Sequence, residues 1–223
     1  MLKKIKVVIF DLDGTLIDTS SGIIDSVQYV IRSLGLTPLS EKEIETFVGP
    51  PVQESFKRYY CMSDEAAQRA AEVFREYYKG ESLFLAEVYP DIIQILSGLR
   101  DKGLKVAVAT YKRHDYTMTL LDKFGITTHC DTIHGADNDN KLKKADIITL
   151  CMFDLGASPD ECILVGDTEH DARGASALGM DFLGVGYGFG FREQNDVSIF
   201  PNVGFCKTVK DLSQWIKINT CNQ

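Results

Sequence analysis

Apolar residues fall along this 223-residue chain in two rhythms, and the change of rhythm divides it. Short continuous apolar runs recur at 5–10, 104–109, 162–166 and 182–185, each followed at once by polar or glycine-rich residues. Unbroken rather than alternating runs mark strands covered on both faces, as in a parallel sheet. Between them, apolar residues recur at helical spacing over 91–102, 115–124, 144–155 and 171–178. Strands alternating with helices predict an α/β fold, a doubly wound parallel sheet. Ligands of such sheets collect beyond the carboxyl ends of the strands. The chemistry is therefore expected just after each run, where Asp11, Thr110 and Asp167 stand.

Residues 20–85 keep the helical rhythm and hold no strand-like run. Ser40 and Ser63 each precede an acidic first turn and are placed to cap helices. Pro90 is placed to start the next helix of the sheet domain. The expected division is a core of 1–18 and 86–223 with a small all-helical domain of 19–85. Within the helical part, Gly49, Pro50 and Pro51 form a stiff link between two helices, suited to presenting a surface to a substrate. The chain shows no internal repeat and no low-complexity tract.

Composition narrows the class without naming it. Apolar residues make up 44% and charged residues 25%, ordinary for a globular protein with a real core. The net charge of −8 is spread along the chain, which argues against nucleic acid as a bulk partner. A small phosphorylated substrate stays open, because a local pocket can invert the global sign. No apolar run approaches the roughly 18 residues of a membrane span. The opening "MLKKIKVVIF" lacks a small-residue cleavage site, so it predicts a first strand and a cytoplasmic protein. Six cysteines are scattered without a CxxC pair, which predicts packed thiols rather than a zinc or redox site.

The stretch "VVIFDLDGTLIDT" runs a strand into two carboxylates, Asp11 and Asp13. Taking even one charge from water costs several kcal/mol by the usual order-of-magnitude estimate. Residues two apart on a strand share a side, so both carboxylates are expected to face one site, with Gly14 freeing the backbone to turn. "ILVGDTEHDA" places Asp167 after another strand and Asp171 four residues on. Four acids converging at strand ends call for a divalent cation, and magnesium prefers such hard oxygen ligands. Thr110 ends the strand between them with a hydroxyl for phosphoryl oxygens. Lys144, heading a helix, offers positive charge to a transferring phosphoryl group.

In this order, DxDGT, strand–Thr, Lys and GDxxxD resemble the haloacid dehalogenase-like superfamily over essentially the whole chain. Within it the chain resembles the phosphoglycolate-phosphatase-like hydrolases that carry a helical cap. The resemblance implies a phosphatase with Asp11 as nucleophile and Asp13 as general acid, then base. It implies Mg²⁺ held by Asp11, the backbone carbonyl of Asp13, Asp167 and Asp171. Thr110, with the adjoining Tyr111, and Lys144 match phosphate-binding positions, and Gly14 and Thr15 shape the loop. Two departures stand out. Tyr111 replaces the family's usual Asn or Ser, and Ala145 follows the lysine in place of Pro. The second departure leaves Lys141 and Lys143 open beside Lys144.

Several readings remain side by side. The expected substrate is a small phosphorylated metabolite. A phosphomutase of the β-phosphoglucomutase type, a nucleotidase or a pyrophosphatase shares the same core. A dehalogenase has no need of Asp13. A metal-binding module without turnover is opposed by the intact acidic set. Lys112 and Arg113 fit phosphate contacts or solvated loop charges equally. His170 is expected at the surface. The run "GVGYGFG" misses GxGxxG spacing and is expected to be a turn after a strand. Oligomeric state has no signature in the sequence.

Overall fold

The computed structural model describes residues 5–137 and 141–220. From the N-terminus, β1 (Val7–Phe10) leads through a two-residue strand, β2 (Ile17–Asp18), into helices α1 (Ser20–Ser33), α2 (Glu41–Glu45), α3 (Val52–Tyr60) and α4 (Asp64–Tyr78). A second two-residue strand, β3 (Glu87–Val88), pairs with β2 as the chain returns. There follow α5 (Ile92–Asp101), β4 (Lys105–Arg113), α6 (His114–Lys123), β5 (Thr132–Ala136) and α7 (Lys144–Leu155). The chain ends with β6 (Cys162–Gly166), α8 (Glu169–Ala177), β7 (Asp181–Val185), α9 (Gln194–Ser198), β8 (Gly204–Cys206) and α10 (Val209–Asn219). Two compact units result, one built from the chain up to Ile17 and from Val88 onward, the other from Asp18–Glu87.

The larger unit holds a six-stranded parallel sheet in the order β5-β4-β1-β6-β7-β8. Phe10 of β1 lies level with Val108 of β4 and Val165 of β6. One core gathers Val7, Ile9, Ala107, Ala109 and Leu164 with Ile147 and Ile148 of α7 and Ala172 and Ala175 of α8. The alternate residues Val8, Phe10, Val106 and Val108 are just as buried and point to the opposite face. Both faces are therefore covered, which is why the runs in the sequence do not alternate. Each fully buried aliphatic side chain contributes about 1.5–3 kcal/mol. After β1 the chain pairs outward through β4 and β5, then returns to the other flank of β1 as β6. That reversal places the ligand crevice at the carboxyl ends of β4, β1 and β6.

The structure departs from expectation in particular places. β5 and β8 lie at the two edges of the sheet, where one flank is unpaired. Their half-buried, short or polar sequences carry no continuous apolar run. β4 continues beyond Ala109 to Arg113. Pro90 does not itself start a helix, because Asp91 intervenes at φ 65° and α5 begins at Ile92.

In the helical unit α1 and α3 pack on α4 around Val27, Val30, Phe47, Phe56 and Phe74. Ser40 caps α2, accepting from Glu43 N while Glu43 Oε2 accepts from Ser40 N at 2.8 Å. Ser63 caps α4 through Ala66 N at 3.3 Å. Gly49 is exposed at φ +106°, Pro50 and Pro51 are half-buried, and Pro51 immediately precedes α3. Among the described residues no helix is long and apolar enough to cross a membrane. Cys151, Cys162 and Cys206 are buried free thiols, Cys130 is half-buried and Cys61 exposed. Cys221 lies outside the described residues.

Candidate active site

Beyond Phe10, Asp11 N donates to Val165 O at 2.9 Å, so the chain stays tied to β6 for one residue past the strand. That tie holds the buried Asp11 carboxylate over the ends of β1 and β6. Asp167 follows β6 directly, and Asp171 is the third residue of α8; both are buried. One oxygen from each of Asp11, Asp167 and Asp171 lies within 4.8 Å of the others. Two segments distant in sequence, one bearing Asp11 and the other Asp167 and Asp171, thus meet at the carboxyl edge of the sheet.

Lys144, the first residue of α7, answers them with a buried ammonium. Its Nζ lies 2.6 Å from Asp11 Oδ1 and 2.6 Å from Asp171 Oδ1. Lys141 and Lys143 are exposed. The second oxygen of Asp171 accepts from Thr168 N at 3.1 Å and Thr168 Oγ1 at 2.6 Å, capping α8. Asp171 is therefore both a helix cap and a member of the acidic cluster.

Asp167 is clamped from two loops. Its Oδ1 accepts from Thr15 Oγ1 at 3.3 Å, and its Oδ2 from Phe189 N at 2.6 Å and Gly190 N at 3.3 Å. Tyr187 donates its hydroxyl to Thr15 O at 3.0 Å, joining the two loops. Gly14 sits at φ +79°, and a Cβ there would fall 2.3 Å from Asp167 Oδ2. A Cβ on Gly188 would fall 2.2 Å from Gly14 O. The run "GVGYGFG" is thus more than a turn after a strand, since its backbone approaches and holds Asp167. Backbone donors leave no trace in side-chain chemistry, so the sequence pattern missed them.

Asp13 does not join the other three carboxylates. It leaves the strand in the turn after Asp11, and its Oδ1 and Oδ2 lie 3.0 and 3.3 Å from Lys112 Nζ. Strand alternation does not apply here because β1 ends at Phe10. Thr110 is buried, and its Oγ1 accepts from Lys112 N at 3.2 Å. The Tyr111 hydroxyl accepts from Lys144 N at 2.9 Å, so the unusual tyrosine supports the end of α7 that bears the lysine. His170 is half-buried, edge-on to the Tyr111 ring at 5.5 Å, rather than free at the surface. Arg113 pairs with Asp115 at 3.0 and 2.6 Å.

Burial and mutual repulsion set the electrostatics of the cluster. Burial pushes the Asp11 carboxyl up to about 7, against the pull of Lys144 and with the push of Asp171 and Asp13. Burial, then Asp171 and Asp11, hold Asp167 well above the carboxylate range. Burial works to lower the Lys144 ammonium, but Asp11 and Asp171 outweigh it and raise it. The donors are hard oxygens, so Asp11, Asp167 and Asp171 fit a divalent cation.

A pH dependence follows from the raised carboxyls. In EDTA the native state keeps a proton on Asp11 that the unfolded chain, titrating at 3.8, has already released. Stability should therefore fall as pH rises from 4 towards 7. Saturating divalent cation should abolish the decline, because it stabilises the ionised form only in the folded state. Urea melts across this range with and without the cation measure both; a flat curve in EDTA would contradict the buried acidic cluster.

Known proteins resemble this chain over most of its length. The profile of haloacid dehalogenase-like hydrolases matches residues 8–185. The crystal structure of a predicted phosphatase from Clostridium acetobutylicum is 34% identical, with a TM-score of 0.88, covering 96% of this chain and 98% of that one. A 5'-nucleotidase of Pseudomonas aeruginosa is 32% identical over 84% of this chain and 85% of its own length. The tyrosine-protein kinase PtkA of Mycobacterium tuberculosis is 32% identical over 94% of this chain and 72% of its own length. With its sheet order, its acidic cluster and these matches, the chain belongs to the haloacid dehalogenase-like hydrolases and is a phosphatase of that family.

Proposed function

We propose that the chain is a magnesium-dependent phosphomonoesterase working through a phosphoaspartate on Asp11. The observation that carries this is the buried trio Asp11, Asp167 and Asp171 backed by the Lys144 ammonium. In the first step an Asp11 oxygen bonds to phosphorus as the ester P–O bond breaks, and Asp13 gives its proton to the leaving oxygen. In the second, Asp13 takes a proton from water as the water oxygen bonds to phosphorus and the Asp11–phosphorus bond breaks. Lys144 and Thr110 hold the phosphoryl oxygens, while Tyr111 supports the helix end that carries Lys144. Thr15, Gly14 and Gly188 keep Asp167 in place. Asp11, Asp167 and Asp171, with the Asp13 carbonyl, would hold magnesium, which would supply neutralising charge for the phosphoryl group. Splitting the hydrolysis into two displacements suits a reaction that is among the slowest known without a catalyst.

The substrate in this reading is a small phosphate monoester such as phosphoglycolate, with choice among esters assigned to the helical unit through Gly49, Pro50 and Pro51. Hydrolysis of p-nitrophenyl phosphate should require Mg²⁺ and fall about a thousandfold in EDTA, matching several kcal/mol of charge stabilisation. Undiminished turnover in EDTA would overturn the metal assignment. Phosphate release to water distinguishes this activity from transfer to a tyrosine hydroxyl. A hexose phosphate that isomerises, with a bisphosphate activator, faster than it releases phosphate would favour the mutase.

A further inference from the structure

β4 and β5 fall out of step at the edge of the site. Thr110 is paired with Gly135, but the next pair is Arg113 with Ala136. Tyr111 and Lys112 are therefore extra residues on β4 with no partners on β5. A bulge of this kind re-aims side chains and is common beside active sites. Here it sends both residues to the catalytic elements. Tyr111 takes the backbone N–H of Lys144. Lys112 sets its ammonium 3.0 Å from Asp13 Oδ1 and 3.3 Å from Oδ2.

Lys112 is itself anchored at several points. Its N–H donates to Thr110 Oγ1 at 3.2 Å, and its carbonyl accepts from Thr117 Oγ1 of α6 at 3.3 Å. A Cβ on Gly135 would fall 2.5 Å from that carbonyl, so β5 closes on it from the other side. The side chain is 6% exposed, whereas that of Asp13 is 19% exposed. A flexible, solvated lysine would leave the Asp13 rotamer undetermined. This one, packed and fixed at its backbone, confines the more accessible carboxylate to one orientation.

We propose that Lys112 is the positioning residue of Asp13, holding that carboxylate in place to take the proton of the attacking water. The proposal rests on the role of Asp13 given above. It predicts a defect in the second displacement, which p-nitrophenyl phosphate exposes because its leaving group departs without a proton donor. Lys112→Met should lower kcat about 10–100-fold, the scale of lost support for a functional group. It should also show a nitrophenolate burst stoichiometric with enzyme, together with a lowered KM. Lys112→Arg, which keeps a cation and serves where the methionine variant fails to fold, should show no burst. A merely structural role would lower kcat without a burst, and that result, or a burst in Lys112→Arg, overturns the proposal. Asp13→Asn separates the two failures. A burst there but not in Lys112→Met sinks only the lysine assignment, while no burst in Asp13→Asn sinks the role of Asp13 as well.

Discussion

Asp11→Asn is expected to lower phosphatase kcat by at least about 10⁴-fold, the scale seen when one member of a concerted catalytic set is removed. Asparagine keeps the shape of the side chain but lacks the anionic oxygen that bonds to phosphorus. The fold should survive, because the change removes one buried acid from a crowded trio and leaves Lys144 paired with Asp171 at 2.6 Å. In EDTA the variant should melt no lower than the parent, the usual exchange of activity for stability at a strained site. Circular dichroism melts and a phosphate-release assay decide the matter together. Activity within tenfold of the parent would move the nucleophile elsewhere.

Lys144→Ala carries the second large effect, on stability as much as on rate. The lysine is 3% exposed and forms ion pairs with both Asp11 and Asp171. Its stem also lies against α8, where a Cβ on Gly174 would come within 2.8 Å of Lys144 Cγ. Removing one partner of a buried pair leaves uncompensated charge, at about 3–5 kcal/mol. Urea melts at pH 8 in EDTA should show that loss, and divalent cation should restore part of it by replacing the missing charge. The rate should fall about 10²–10³-fold even with saturating metal, because the phosphoryl oxygens lose a preorganised donor. An unchanged melt in EDTA would mean that Lys144 does not balance the acidic cluster.

What is legible in the sequence depends on how local its cause is. Helices over 144–155 and the strand over 162–166 were legible residue for residue, because each packs a full face and repeats its pattern. Edge strands β5 and β8 were not, since one open flank lets them carry Thr132, His134 or Gly204 without loss. The helix caps Ser40 and Ser63 were legible because capping joins residues three apart. Asp13 was misplaced because the alternation of a strand was carried one turn past its end. Lys112 was left open because its partner is 99 residues away in the chain.

The α/β alternation, the place of Asp11 and Asp167 just after strands, and the family were all legible in the sequence. These depend on periodicity and on short motifs, which the chain carries within a few residues. Only the tertiary structure decided which lysine faces Asp11 and Asp171, and that the late glycine run holds Asp167 through Phe189 and Gly190 N–H groups. The same is true of the partition of the four acids into a buried trio and a lysine-bound fourth. The physical reason is common to all three. Each depends on distances of a few ångströms between segments distant in sequence, set by strand order, a bulge and backbone amides, none of which has a residue type of its own.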